Sequence, residues 1–145
     1  MTAQHSTPTE WIADISRIVT ASTDRVTGDR SGYPLLVCLL VQRGLKQRGI
    51  DSRILYGPAA WIEITTSQQP IWSGCWGEHF SFWVETEFRE IVELTAAVSH
   101  RRRPHGRPEL EALYTPPLLW SVDVPNFFRF EPHGIAELDP KDLQE

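Results

Sequence analysis

SGYPLLVCLLVQRGLKQRGI, residues 31–50, contains a start, a buried stretch and a stop for one helix. Ser31 or Gly32 stands where a cap is needed, and Pro34 presets the first turn, where a missing amide hydrogen costs nothing. Gly49 offers the left-handed residue that closes a helix. Leu35 to Val41 are apolar on every side, whereas Gln42, Arg43, Lys46, Gln47 and Arg48 are polar. The front half is therefore expected to be buried and the rear half to surface. The stretch predicts a central helix from about Pro34 to Arg48 that packs its Leu35, Cys38 and Leu39 face on an antiparallel sheet.

Upstream, Thr7, Pro8 and Glu10 form a start signal of cap, first-turn proline and acid reaching back. Trp11, Ile12, Ile15, Ile18 and Val19 recur at helical spacing. An outer helix is expected there, joined to the central one by the polar link STDRVTGDRSG. Downstream the period changes: SRILYG, AWIEIT and PIWSG are β-branched and aromatic runs between turn residues, and read as strands. HFSFWVETEFREIVELT reads as a hairpin turning near Arg89, with Phe80, Phe82 and Val84 on one face and His79, Ser81, Trp83 and Glu85 on the other. Helix, helix, then antiparallel sheet is an α+β order. Beyond it an arm is expected, with a short helix over Glu109 to Tyr114 and an edge strand at NFFRF. A single domain over 1–145 then divides into a first helix and link (1–30), a core (31–96), an arm with an Arg-rich loop (97–130) and an acidic tail (131–145).

A chain of 145 residues, 41% hydrophobic with six Trp and six Phe, suits one domain with a real core. It contains no apolar run long enough for a membrane span. The N-terminus has neither a basic start nor an apolar stretch before a cleavage site, so a soluble, cytoplasmic protein is expected. Cys38 lies in an apolar helical run and Cys75 in a Gly-Cys-Trp-Gly turn, and without export no disulfide is expected between them. The net charge of −5 argues against a dedicated nucleic-acid binder. His5, His79, His100, His105 and His133 fall in no metal-binding spacing, and phosphate or dinucleotide fingerprints are missing, so neither metal nor cofactor is expected.

From Ser31 to Ala96 the chain resembles the transglutaminase-like branch of the papain-like cysteine protease superfamily. The resemblance rests on Gly32-Tyr33-Pro34 opening the helix, Gly49-Ile50-Asp51-Ser52-Arg53 closing it, then Phe82-Trp83-Val84-Glu85-Thr86 and Ile91-Val92-Glu93-Leu94-Thr95-Ala96. It implies a central helix packed on an antiparallel sheet. It also implies a Cys at the helix head, where unpaired amides and the dipole lower a thiol pKa, a His base and an Asp that orients the imidazole. Carried over residue by residue, the Cys position falls on Pro34 or Tyr33, the His position on Ser81 and the Asp position on Glu93. Two of those three positions hold no competent group. Tyr33, Pro34, Ser81 and Glu93 would then mark a vestigial site.

A displaced triad is the alternative. Cys38 lies one turn beyond Pro34, and His79 lies two residues before Ser81 on the same strand face, so Cys38, His79 and Glu93 could form a shifted amidase, peptidase or acyltransferase site. Against it, Cys38 sits among Leu35, Val37, Leu39 and Val41, where burial raises a thiol pKa. Glu93 would instead accept from the first amides of the helix, because a buried acid must find donors.

Two further features bear on partners. SHRRRPHGRP, residues 99–108, gathers Arg101, Arg102, Arg103 and Arg107 in an acidic chain, and Arg forks suit carboxylates. Trp61, Trp72, Trp76, Trp83 and Trp120 exceed what a small sheet usually buries, so some are expected to line a cleft or interface. The residues thus offer two readings: a non-catalytic domain that binds a protein, a peptide or its own copy, with no nucleic acid and no membrane, or a cysteine hydrolase or acyltransferase.

Overall fold

The computed structural model of the chain describes residues 5–28, 33–65, 67–75, 81–96, 112–114 and 118–136. Helix α1, Thr9–Thr27, runs to Gly28, whose φ of 85° ends it. The helix therefore takes up most of the stretch expected as a link. Its N-cap is Pro8, and no side chain caps it. Thr7, expected in that role, is buried and donates its hydroxyl to Glu90 Oε1 at 2.6 Å, with its amide 3.3 Å from both carboxylate oxygens. A buried carboxylate needs donors more than a first-turn amide that water can reach needs an acceptor.

Helix α2, Pro34–Lys46, is the central helix. Tyr33 occupies its N-cap position, with no side-chain cap bond, and Pro34 is the first helical residue. At the other end the Ile50 amide donates to Leu45 O at 3.0 Å and Gly49 takes φ 78°, the left-handed stop that its sequence foretells. The buried face is Val37, Cys38, Val41 and Leu45. The expected Leu35, Cys38, Leu39 face is thus rotated: Leu35 and Leu39 are only half-buried. The rotation follows from α1, which packs Ile15 against Gly44 and joins Val37, Val41 and Leu45 in the same core.

Among the described residues nine strands form two antiparallel sheets. Strands β1 (Ser52–Gly57), β4 (Ser81–Thr86), β5 (Ile91–Glu93), β7 (Leu119–Ser121) and β9 (Gly134–Ile135) make the first, in the order β7-β5-β4-β1-β9. Strand β2 (Ala59–Thr65) centres the second, between β3 (Pro70–Cys75) on one side and β6 (Ala112–Tyr114) and β8 (Phe128–Phe130) on the other. Arg89, at φ 63°, sits in the β4–β5 turn where the hairpin was expected to reverse. The structure is α+β, with both helices packed on antiparallel sheets.

Three expectations are corrected in this part of the chain. Residues 112–114 form a strand beside Ile64 and Thr65 rather than the end of a helix, because β2 presents them with an open edge. Cys75 ends β3 opposite Ala59, so it belongs to a ladder and not a turn. The segment after Glu131 is not all tail: Gly134–Ile135 extends the first sheet, and Ala136 donates to Ile54 O.

Each face of the first sheet carries its own core. Ile54, Val84, Val92 and Leu94 meet α2 and α1, whereas Leu55, Trp83 and Leu119 meet Ala59, Trp61 and Phe128 of the second sheet. The two sheets join at a corner, Gly57-Pro58, where the chain passes from β1 to β2. The segment from β8 to β9 runs alongside, bonding Glu131 N to Pro58 O and His133 N to Tyr56 O. A Cβ at Gly57 would lie 2.1 Å from Glu131 O, so the corner admits only glycine.

Candidate functional site

The Cys38 side chain points from the second turn of α2 into the aliphatic core and is 4% exposed. Burial, and secondarily the charge of Glu93, push its thiol well above the ordinary value. Those are the conditions under which a cysteine stays protonated and unreactive. Between Cys38, Phe82, Val84 and Glu93 the free space is only about 10 Å³. That is room for no more than about one water molecule and none for an acyl substrate.

Glu93 does lie near Cys38, but its Oε1 is engaged elsewhere. It accepts from the Thr95 amide and hydroxyl at 2.6 Å each and from the Ala96 amide at 3.1 Å. The acid therefore fastens the end of β5, and the helix's first amides are not among these donors. Ser81 is corrected as well. Strand alternation puts Phe82 and Val84 on the helix side, which leaves Ser81 with Trp83 on the face toward the second sheet. Pro34 lines the small void, Tyr33 is exposed at the helix head, and Ser81 faces away from both. His79, Trp76 and the cluster Arg101, Arg102, Arg103 and Arg107 lie outside the described residues. No group of three or more metal-ligating side chains occurs among the described residues.

Other buried polar groups had no place in the sequence reading. Glu63 is fully buried and accepts from Trp61 Nε1 at 3.2 Å. In β2 it is Ala59, Trp61, Glu63 and Thr65 that face inward, while Ala60, Ile62 and Ile64 are half-exposed. The indole area of Trp61 outweighs two isoleucines and draws the acid in with it. Glu90, 4% exposed, accepts from the Thr7 and Thr86 hydroxyls and ties the start of α1 to the β4–β5 turn. The only signal for it in the sequence is a Thr-x-x-x-Glu pattern across a turn, which is common.

The tryptophans divide clearly. Trp61 and Trp83 are core, Trp11 and Trp120 are half-buried, and Trp72 is 40% exposed with the Arg129 guanidinium 4.7 Å above its ring. A second concave area is an open groove of about 700 Å³ between the rear half of α2 and residues 50–52.

No family model and no curated protein matches this chain. One solved structure, described as a genomics target, is similar over 99% of this chain and 71% of its own length, with 14% identity and a TM-score of 0.49. No helix among the described residues is long and apolar enough to cross a membrane.

Proposed function

We propose that this chain is a catalytically inactive transglutaminase-like domain that acts as a protein- or peptide-binding module. The observation that carries the reading is the state of Cys38: enclosed, a turn past the helix head and with its thiol pKa raised by burial. A cysteine nucleophile needs a thiolate within reach of its substrate, and the helix dipole that supplies one fades after the first turn. Pro34 at the head of α2 and Ser81 on the far face of β4 add support, since neither provides a nucleophile or base beside the other. On the surface, Trp72 under Arg129 is the kind of aromatic and arginine pair that anchors interfaces.

The test is an assay of hydrolysis and transamidation on generic amide and ester acyl donors, with wild type and Cys38→Ser side by side. No turnover above background is expected from either. Turnover that disappears on Cys38→Ser overturns the reading and returns the chain to the displaced Cys38, His79, Glu93 enzyme. For binding, replacing Arg101, Arg102 and Arg103 by Ser is expected to leave the melting temperature nearly unchanged and to weaken capture of an acidic partner or self-association in a salt-sensitive way.

A further inference from the structure

The rear half of α2 carries an arrangement that the core does not explain. Leu39 and Leu40 are half-buried along one side of the open groove, and Ile50 and Ser52 form the other side. Arg43 and Lys46, one turn apart, line the same groove and are exposed. Neither is in an ion pair with a described residue. Helix α2 contains no Asp or Glu. The acid of the lining, Asp51, stands at the opposite wall. In a chain with net charge −5 this is a local reversal of sign over an apolar floor.

The walls are fixed before anything binds. Gln42 Nε2 donates to Ser52 O at 3.0 Å, bridging the helix to the start of β1. The left-handed Gly49 and the Ile50 amide bond to Leu45 O set the reversal between them. A groove whose sides are already held loses little ordering entropy when it is filled. Its volume of about 700 Å³ takes several side chains and exceeds what a lone anion would fill.

We propose that this groove binds an acidic amphipathic peptide segment of a partner protein, with apolar side chains on the half-buried Leu39 and Leu40 and carboxylates against Arg43 and Lys46. The proposal rests on the partner-binding reading above and names the surface and the partner chemistry. Charge complementarity argues for the occupant: two unpaired cations beside leucines attract carboxylates spaced around an apolar stripe, the pattern of a helix laid into a groove. A basic or nucleic-acid partner would meet the wrong sign or lack the apolar stripe.

The experiment uses the full chain and a fluorescein-labelled synthetic helix with Leu at i, i+3, i+4 and i+7 and Glu on both flanks, compared with the same peptide carrying Lys for Glu. Anisotropy is expected to show saturable binding of the Glu peptide alone, weakened about tenfold as salt rises from about 50 to 300 mM. Arg43→Glu with Lys46→Glu should abolish it, and Arg43→Ala with Lys46→Ala, which keeps the fold if the reversal does not, should weaken it about tenfold. Equal binding of both peptides, or binding unchanged in the double variants, overturns the proposal. Binding that is lost on Arg101→Ser, Arg102→Ser and Arg103→Ser yet survives both α2 double variants also overturns it, by moving the contact to another surface, while the partner-binding reading stands. Binding that appears only after removal of residues 137–145 would assign the groove to the chain's own acids Glu137, Asp139, Asp142 and Glu145 and overturn a partner in trans. Sedimentation showing a dimer that dissociates in the double variants would assign it to a second copy, with the same consequence. Acyl-transfer turnover at Cys38 would remove the inactive-domain reading without touching the peptide result.

Discussion

The two faces of the first sheet make cores of different chemistry. Toward α2 the core is aliphatic, built from Val37, Cys38, Val41, Leu45, Ile54, Val84 and Val92. Toward the second sheet it is aromatic: Trp83 lies 5.0 Å from Phe130, and Phe128 stacks on Phe130 at 5.8 Å with the rings 8° from parallel. The aliphatic face encloses a thiol, and the aromatic one lies beside a fully buried acid, Glu63, bonded to an indole. An aliphatic core keeps a thiol protonated by excluding water, whereas indole N–H groups can satisfy acids among aromatics. The helix-facing side of the sheet is therefore one on which the thiol stays protonated and unreactive.

The largest effect expected from this contrast is at Trp83. Its side chain is 1% exposed between the sheets, and Trp83→Ala should cost about 3 to 5 kcal/mol in urea unfolding. A cost below about 1 kcal/mol would mean that the aromatic layer is not a core at all. Next comes the corner that lets the two sheets face each other. Gly57→Ala places a Cβ 2.1 Å from a backbone oxygen that no rotamer can move, and about 1 to 3 kcal/mol of overpacking cost is expected. A neutral result would show that the β1–β2 corner yields, and that the sheets are held by the aromatics alone.

The aliphatic side was legible in the sequence because its signals are local. A proline, an apolar run and a glycine within 31–50 set the ends of α2, and the β4–β5 hairpin closes over four residues around Arg89. The aromatic side depends on pairings between distant segments. Strand β2 meets β8 some seventy residues on, through Ala59 and Phe130, and no short pattern announces such a partner. The rotation of α2 by α1 and the turning of Ser81 away from the helix have the same origin. Period gives the alternation of a strand, but which face meets which layer is decided by layers added later.

A smaller effect tests the link across the helix side. Thr7 and Thr86 both donate to the buried Glu90, which ties α1 to the β4–β5 turn. Thr7→Val keeps the shape and removes one donor, and about 1 to 2 kcal/mol is expected by thermal unfolding. Hydrogen exchange should then speed up in the first turn of α1 before it changes in α2. Equal acceleration in both helices would mean that Thr7 supports the whole aliphatic face and not only the entry of the chain.

The smallest effect is at Cys38, and it is the one that most sharpens the contrast between the cores. Near neutral pH, Cys38→Ala should cost only about 1 kcal/mol, because a small apolar group is lost from a site with little free space. The pH dependence carries more information. Burial, then Glu93, raise the folded thiol well above its ordinary value, so below about pH 8.5 the thiol is protonated in both folded and unfolded states and contributes no slope. As pH rises past that value the unfolded thiol ionises while the folded one keeps its proton, so unfolding is favoured and stability falls until the folded pKa is passed. In a Cys75→Ser background, Cys38→Ala should remove that alkaline decline, bringing the two stability curves together as pH climbs. Iodoacetamide should leave native Cys38 unmodified over the same range and label it on unfolding. A thiol that labels rapidly at neutral pH, or two stability curves that stay parallel as pH climbs, would mean that the folded thiol ionises as readily as the unfolded one and would reverse the assignment of the two faces.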